Sequence, residues 1–388
     1  MKLKNFAKIK DSDIEFNNLT ILAGKPSTNK SYIMKFKYSI DETFANINSG
    51  KFIKLISLME TDNNNLDMIK VFSNFEKLEI DIDKLIDNGD FITIKKKFEK
   101  KDKDLPILSL LNSIIEKQKL LTKLNKKNQF EYLFRNILKS IFRDINQINE
   151  DFNVEINKNK IEFKENTLSL NITNFESDIE NVIFVETPLI LEFEKFLPNN
   201  IASMPYHIDS LTQILRKENF AFTNLEEEEF INKFNEKVNY IINGSIQKEQ
   251  SNFIYKNQDG KIFNIVNTSS GVKSIGLLQY LVNNKILKKG STLYWEEPEV
   301  HLHPEWQRKI AELFLFMIDE GIKIVISTHS AILTNSLNVL SKNKGKISFN
   351  LLKKENDEVK NIILNDSNWD LIQDELLETL EELSWEYL

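Results

Sequence analysis

The sequence predicts an α/β fold in which a mixed sheet is flanked by helices. Three observations carry that prediction. Short apolar runs at Leu19–Ala23, Val182–Val185, Leu293 to Trp295 and Ile322 to Ser327 have the length and composition of buried strands. Segments with helical spacing alternate with them, as they do when helices cover both faces of a sheet. The 388 residues, 41% of them hydrophobic, suffice for a full core and leave room for two domains or one domain with a large insertion.

The elements follow in chain order. Leu19–Ala23 reads as a strand, Gly24 to Asn29 as a turn-rich loop, and Ser31 to Ile40 as a helix with Ile33, Phe36 and Ile40 on one side. From about residue 91 to 150 the chain reads as helical and basic. Ile107, Leu110, Leu111 and Ile114 form one stripe. Phe130, Leu133, Phe134, Ile137, Leu138, Ile141 and Ile145 form another, with a turn at Asn125 to Asn128, so a helical hairpin at about 94–150 is expected inside an insertion. Ile94 to Arg143 holds fourteen Lys/Arg against five Asp/Glu, a net +9, which suits either a solvated helical face or a DNA or RNA contact. Val154 to Phe163 and Leu168 to Ile172 read as short strands, and Asn257-Gln258-Asp259-Gly260 as the turn of a hairpin between Phe253 to Tyr255 and Lys261 to Val266. Thr268 to Lys273 leads into a helix from Ser274 to Leu281, and Pro304 to Ile318 reads as a helix between the last two apolar strands. No repeat or low-complexity linker is evident, and Ser341 to Lys346 is a short loop at most.

Composition narrows the chemistry. The absence of cysteine excludes a disulfide scaffold, a thiolate zinc site, an iron–sulfur cluster and a cysteine nucleophile. No run approaches the roughly 18 apolar residues of a membrane span, and Met1 to Asp13 does not form a signal-peptide core. A soluble, cytoplasmic protein is expected. Asp366 to Leu388 carries eight acids and no Lys or Arg, with Trp369, Ile372, Leu376, Leu380 and Leu383 on one helical face. That segment is either a helix packed on its own domain or a docking helix for a partner. Without it the formal charge of −7 becomes +1, so the acidity belongs largely to the tail.

Four features carry chemistry. Gly24-Lys25-Pro26-Ser27-Thr28-Asn29-Lys30-Ser31 follows a strand and opens a helix, the setting in which backbone N–H groups wrap phosphates, a lysine reaches them and a serine hydroxyl meets magnesium. Asn29 stands where such a loop has its second glycine, and Asn tolerates left-handed backbone better than other residues with a side chain. Glu296 and Glu297 end a strand, just before Pro298, as a magnesium NTPase needs: one carboxylate for the metal's water shell, the next for the attacking water. Ile324 to Ser330 is a second strand, ending at His329. Ser269, Ser270 and Gly271 open a helix, which suits an ordinary N-cap or an anion site. His301 and His303 suggest a metal pair or a loop that meets an opposing subunit.

In this order the features resemble a soluble ABC-type ATPase of the AAA-15/AAA-21 class, akin to the OLD-family (overcoming lysogenization defect) and SMC-like repair ATPases. Glu296-Glu297-Pro298-Glu299-Val300-His301-Leu302-His303-Pro304-Glu305-Trp306-Gln307 is especially close to that class's acidic motif. The resemblance covers roughly 1–40 and 255–340; between them only Val185-Glu186-Thr187-Pro188-Leu189 is similar to a strand of the class. It implies an ABC-type P-loop ATPase head at 1–60 and 251–350, an insertion at 61–250 and an acidic C-terminal tail helix at 351–388. It implies ATP and Mg²⁺ as cofactors, with Gly24 to Ser31 and Tyr32 around the nucleotide, Ser31 and Glu296 on the metal side, Glu297 as catalytic carboxylate, His329 as switch histidine and Lys30 on the phosphates. Ser269, Ser270 and Gly271 would cover the γ-phosphate of a partner subunit. A homodimer or higher homo-oligomer follows, opening on hydrolysis or release, as does control of a separately encoded effector, a nuclease in antiphage defence, docking on the tail or the insert. About 50 residues follow the His329 strand, too few for the Toprim nuclease domain of OLD proteins. Two other readings stay open: a nucleotide-gated scaffold with negligible turnover, and an SMC-like DNA-repair ATPase using the basic insert.

Overall fold

The computed structural model describes residues 1–49, 90–101, 107–173, 178–197, 204–216, 225–249, 252–300, 302–342 and 346–377. Their contacts form two compact units: Met1–Tyr38, Asp144–Leu197 and Ser210–Leu388 in the first, Ser39–Arg143 and Pro198–Asp209 in the second.

The first unit is built on β1 (Lys2–Phe6), β2 (Ile9–Asp13), β3 (Leu19–Ala23), β4 (Phe152–Ile156), β5 (Asn159–Lys164), β6 (Thr167–Asn171), β7 (Val182–Val185), β8 (Gly244–Glu249), β9 (Asn252–Asn257), β10 (Ile262–Asn264), β11 (Thr292–Glu296), β12 (Lys323–Thr328), β13 (Ile347–Glu355) and β14 (Glu358–Leu364). A six-stranded sheet runs β14-β13-β3-β12-β11-β7. All its pairs are parallel except β13–β14, so the sheet is mixed, as expected. Every residue of β3 and β7 is buried, the pattern of parallel strands covered on both faces. Two antiparallel sheets, β2-β1-β4-β5-β6 and β10-β9-β8, account for the other strands among the described residues of this unit.

Helices among the described residues include, in chain order, α1 (Lys30–Asn48), α2 (Phe91–Lys101), α3 (Ile107–Thr122), α4 (Lys126–Phe142), α5 (Ile190–Phe193), α6 (Tyr206–Arg216), α7 (Leu225–Ile242), α8 (Ser270–Asn283), α9 (Pro304–Asp319) and α10 (Ala331–Ser341). In the second unit α2 and α3 share an apolar core, with Phe91, Ile94 and Phe98 on one and Ile107, Leu111 and Ile114 on the other. Asn125 caps α4 through its side-chain oxygen, which accepts from Asn128 N at 2.9 Å, and the stripe Phe130 to Ile141 is buried as its spacing predicts.

Some expectations meet a different arrangement. Val154 to Phe163, expected as one strand, is the hairpin β4–β5, turned at Asn157 and Lys158 with φ of 48° and 67°. Met1 to Asp13 is the hairpin β1–β2. Residues 144–197 and 210–250 lie within the span 61–250 but group with the chain's two ends, because β4 pairs with β1 and β7 with β11. Of the tail helix expected at 351–388, residues 351–364 instead belong to β13 and β14, because β13 pairs with β3 and β14 pairs with β13; the chain is helical at 370–377 and packs there on its own unit. The Trp369 indole donates to Asn335 Oδ1 at 3.1 Å and meets Phe349 edge-on at 4.9 Å, while Ile372 is buried. Leu380 and Leu383 of the expected stripe lie outside the described residues.

Candidate functional site

Sheet register brings the expected site residues to one edge. Ala23 pairs with Thr328, Glu296 with Ser327, and Trp295 with Val185, so Gly24, His329, Glu297 and Glu186 follow the carboxyl ends of adjacent parallel strands. That edge is where open α/β sheets bind ligands.

The loop after β3 has an unusual backbone. Gly24 sits at φ 147°, and a Cβ there would lie 2.2 Å from the Leu352 carbonyl oxygen on β13, so only glycine fits. Ser27 and Asn29 adopt φ of 64° and 66°. Asn29 therefore holds the left-handed conformation that the missing glycine would have taken. The loop runs straight into the N-terminus of α1, where backbone N–H groups favour anions. Lys30 is buried, and its Nζ donates to Gly24 O and Lys25 O at 2.8 Å each and to Thr28 Oγ1 at 3.1 Å. Burial lowers its pKa from 10.5 to about 8, against the opposing pull of Glu297 and Glu299.

The acidic turn after β11 places its carboxylates differently. Glu296 is largely buried, and burial pushes its pKa up to about 7, partly offset by Lys35 and by a hydrogen bond from Ser31. Glu296 Oε1 has no hydrogen-bond partner. A serine hydroxyl joined to a carboxylate that keeps a buried oxygen free of hydrogen bonds is a donor set suited to a hard cation such as Mg²⁺. Lys35 Nζ lies 3.1 Å from Glu186 Oε1 and 3.9 Å from Glu296 Oε1. Glu297 is more exposed, sits at φ 47°, and its backbone N–H donates to Ser327 O at 3.0 Å. His329 Nε2 lies 3.2 Å from Glu297 Oε1. Burial and then Lys30 lower the His329 pKa, while Glu297 raises it.

The expected serine-glycine signature begins α8, whose first turn starts at Ser270, four residues before the expected start. Ser269 is its N-cap, accepting from Val272 N at 3.3 Å. A Cβ on Gly271 would lie 3.0 Å from the Trp306 ring, so the glycine lets α8 approach α9 closely. Lys273, buried, forms an ion pair with Glu192 of α5. Of the two histidines of the acidic motif, His303 is the N-cap of α9, its Nδ1 accepting from Glu305 N at 3.4 Å; His301 lies outside the described residues. Sequence reasoning missed Lys35, Glu186 and Glu299 as site residues. Lys35 lies one helical turn beyond Ser31, which is the signal that could have found it.

A family model described as "AAA domain, putative AbiEii toxin, Type IV TA system" matches residues 31–335. The chain belongs to this AAA-domain family. The match takes in Ser31, the signature, both strand-end glutamates and His329. The family and the sheet together bear out the resemblance to an AAA-21-class P-loop ATPase and the expected fold class. Among solved structures, the SMC head domain from Thermotoga maritima is similar at 11% identity and a TM-score of 0.41, over 94% of this chain and 97% of that one. The Smc head domain with an extended coiled coil bound to the C-terminal domain of ScpA, derived from Pyrococcus furiosus, is similar at 12% identity and a TM-score of 0.37, over 99% of this chain and 98% of that one. No curated protein matches the chain. Among the described residues of this AAA-domain protein, no helix is long and apolar enough to cross a membrane.

Proposed function

We propose that this protein binds ATP and Mg²⁺ at the carboxyl edge of the six-stranded sheet and hydrolyses ATP to ADP and phosphate. The observation that carries the reading is the Glu297–His329 pair, 3.2 Å apart and half-exposed beside buried Lys30 and largely buried Glu296. Lys30 exchanges its loop carbonyls for the β- and γ-phosphates, and the N-terminus of α1 receives them. Ser31 and Glu296 hold Mg²⁺, which when bound neutralises phosphate charge. Glu297 orients the attacking water and takes its proton. His329 keeps Glu297 in place through the contact between its Nε2 and Glu297 Oε1.

Ser269, Ser270 and Gly271 cover the γ-phosphate of a partner subunit in a head-to-tail homodimer, so ATP holds the pair together and hydrolysis releases it. In the cytoplasm the dimer controls a separately encoded effector, a nuclease in antiphage defence, docked on the tail or the insert. The support for this part is the resemblance of the four ordered motifs. A second reading, an SMC-like DNA-repair ATPase that holds DNA or RNA through Ile94 to Arg143, draws on the exposed Lys96, Lys100, Lys126, Lys127 and Lys139.

Steady-state ATPase and nucleotide binding by the wild type, Lys30→Ala and Glu297→Gln test the proposal. The first variant should lose binding and the second should bind but not turn over. Equal turnover in wild type and Glu297→Gln would leave only a nucleotide-gated scaffold. DNA affinity that falls with its salt slope when Lys96, Lys100, Lys126 and Lys127 are neutralised would support the second reading.

A further inference from the structure

The third carboxylate of the acidic turn takes no part in the chemistry proposed above, yet Glu299 is 9% exposed. Its Oε1 accepts two hydrogen bonds from the end of β12, the Thr328 hydroxyl at 2.7 Å and the His329 backbone N–H at 2.8 Å. The Thr328 hydroxyl in turn accepts from Ser330 N at 2.9 Å. Ser330 caps α10 by accepting from Leu333 N at 3.0 Å and donates to Gln307 Oε1 on α9 at 2.5 Å. The two strand ends are thus braced twice. One brace is backbone, from Glu297 N to Ser327 O; the other is the Glu299 side chain.

The second brace acts on the peptide that carries the histidine. One carboxylate oxygen holding both the side chain before that peptide and the peptide's own N–H fixes its orientation, and with it the ring beside Glu297. We infer that Glu299 is a positioning residue that sets the His329–Glu297 contact from the far side of the acidic turn. The inference rests on the reading of Glu297 and His329 as the hydrolytic pair.

The test uses the full chain carrying Glu299→Ala or Glu299→Gln, with three readouts: kcat for ATP, the Kd of a fluorescent ATP analogue, and the ring resonance of ¹³C-labelled His329, assigned by its loss in His329→Ala. Glu299→Ala removes both bonds and should lower kcat about ten- to a hundredfold. It should leave Kd within about threefold at pH 7, so that the rate falls much more than the binding. It should also move the His329 resonance. Glu299→Gln keeps an acceptor oxygen and should restore both kcat and the resonance most of the way. Wild-type kcat in Glu299→Ala, an unmoved resonance, or a Gln variant as damaged as Ala would each overturn the inference. If the wild type does not turn over ATP, the proposed hydrolysis fails while the resonance still reports on the brace. If Glu299→Ala does not fold, Thr328→Val removes one of the two donors, and it should shift kcat and the resonance in the same direction by less.

Discussion

The ion pair between Lys273 and Glu192 ties the start of α8 to α5, and replacing Lys273 with Met measures what that tie contributes. The Lys273 side chain is 5% exposed and that of Glu192 14%, so neither charge recovers its hydration when its partner is removed. Breaking a fully buried pair costs about 3–5 kcal/mol; the residual exposure of Glu192 brings the expectation for Lys273→Met to about 2–4 kcal/mol. Glu192→Leu should cost at least as much, because it strands the more deeply buried ammonium. The double variant, with apolar side chains facing each other, should be no worse than either single one, giving a coupling of about 2–4 kcal/mol. Urea unfolding at pH 7, followed by tryptophan fluorescence, suits the measurement, since Trp295, Trp306 and Trp369 all belong to the same unit as the pair. Moderate salt should change the coupling little, as buried pairs are weakly screened. Single variants that lose less than about 0.5 kcal/mol, or losses that simply add, would show that the pair behaves as a surface contact and that the tie is not mechanical.

Three further outcomes follow from the loop after β3. Gly24→Ala places a methyl 2.2 Å from the Leu352 carbonyl at a φ of 147° and should cost about 3 kcal/mol or more, with loss of ATP binding, in thermal unfolding and titration. Asn29→Gly should keep ATP binding and stay within about 1 kcal/mol of wild type, relief at φ 66° being offset by greater freedom of the unfolded chain, whereas Asn29→Val should lose stability and binding. Lys30 should make ATP affinity fall with rising pH above about 8 instead of near 10.5, with proton uptake on binding measurable by calorimetry in buffers of different ionisation enthalpy. The sign for stability is opposite: the unfolded chain binds this proton more tightly between about 8 and 10.5, so this group's contribution to stability rises with pH across that window.

What the sequence made legible was local. The turn after β3, the carboxylates after β11, the cap of α8 and the stripe of α4 are each read from neighbours within a few positions. The β4–β5 hairpin escaped because its turn, Asn157-Lys158, reaches positive φ without a glycine. The spacing of Phe230, Phe234, Val238 and Ile242, all buried on α7, carries the same helical signal as the α4 stripe, and the expectations assigned no helix there. Glu299 and Glu186 were beyond reach for a different reason. Their partners, Thr328 and Lys35, lie 29 and 151 positions away, and only sheet register brings them together.

The register of β3 also sets a timetable for synthesis. Leu19 pairs with Ile324 on one side and Ile347 on the other, so both neighbours of the phosphate-loop strand emerge about 300 residues after it, roughly 15–60 s at about 5–20 residues per second. Throughout that interval a strand destined to be wholly buried, two bare edges exposed, is a template for wrong partners. Nascent chains of this protein should therefore depend on holding chaperones until β13 leaves the ribosome, and a chain cut before residue 347 should lack one wall of its nucleotide loop, since Leu352 is what Gly24 packs against.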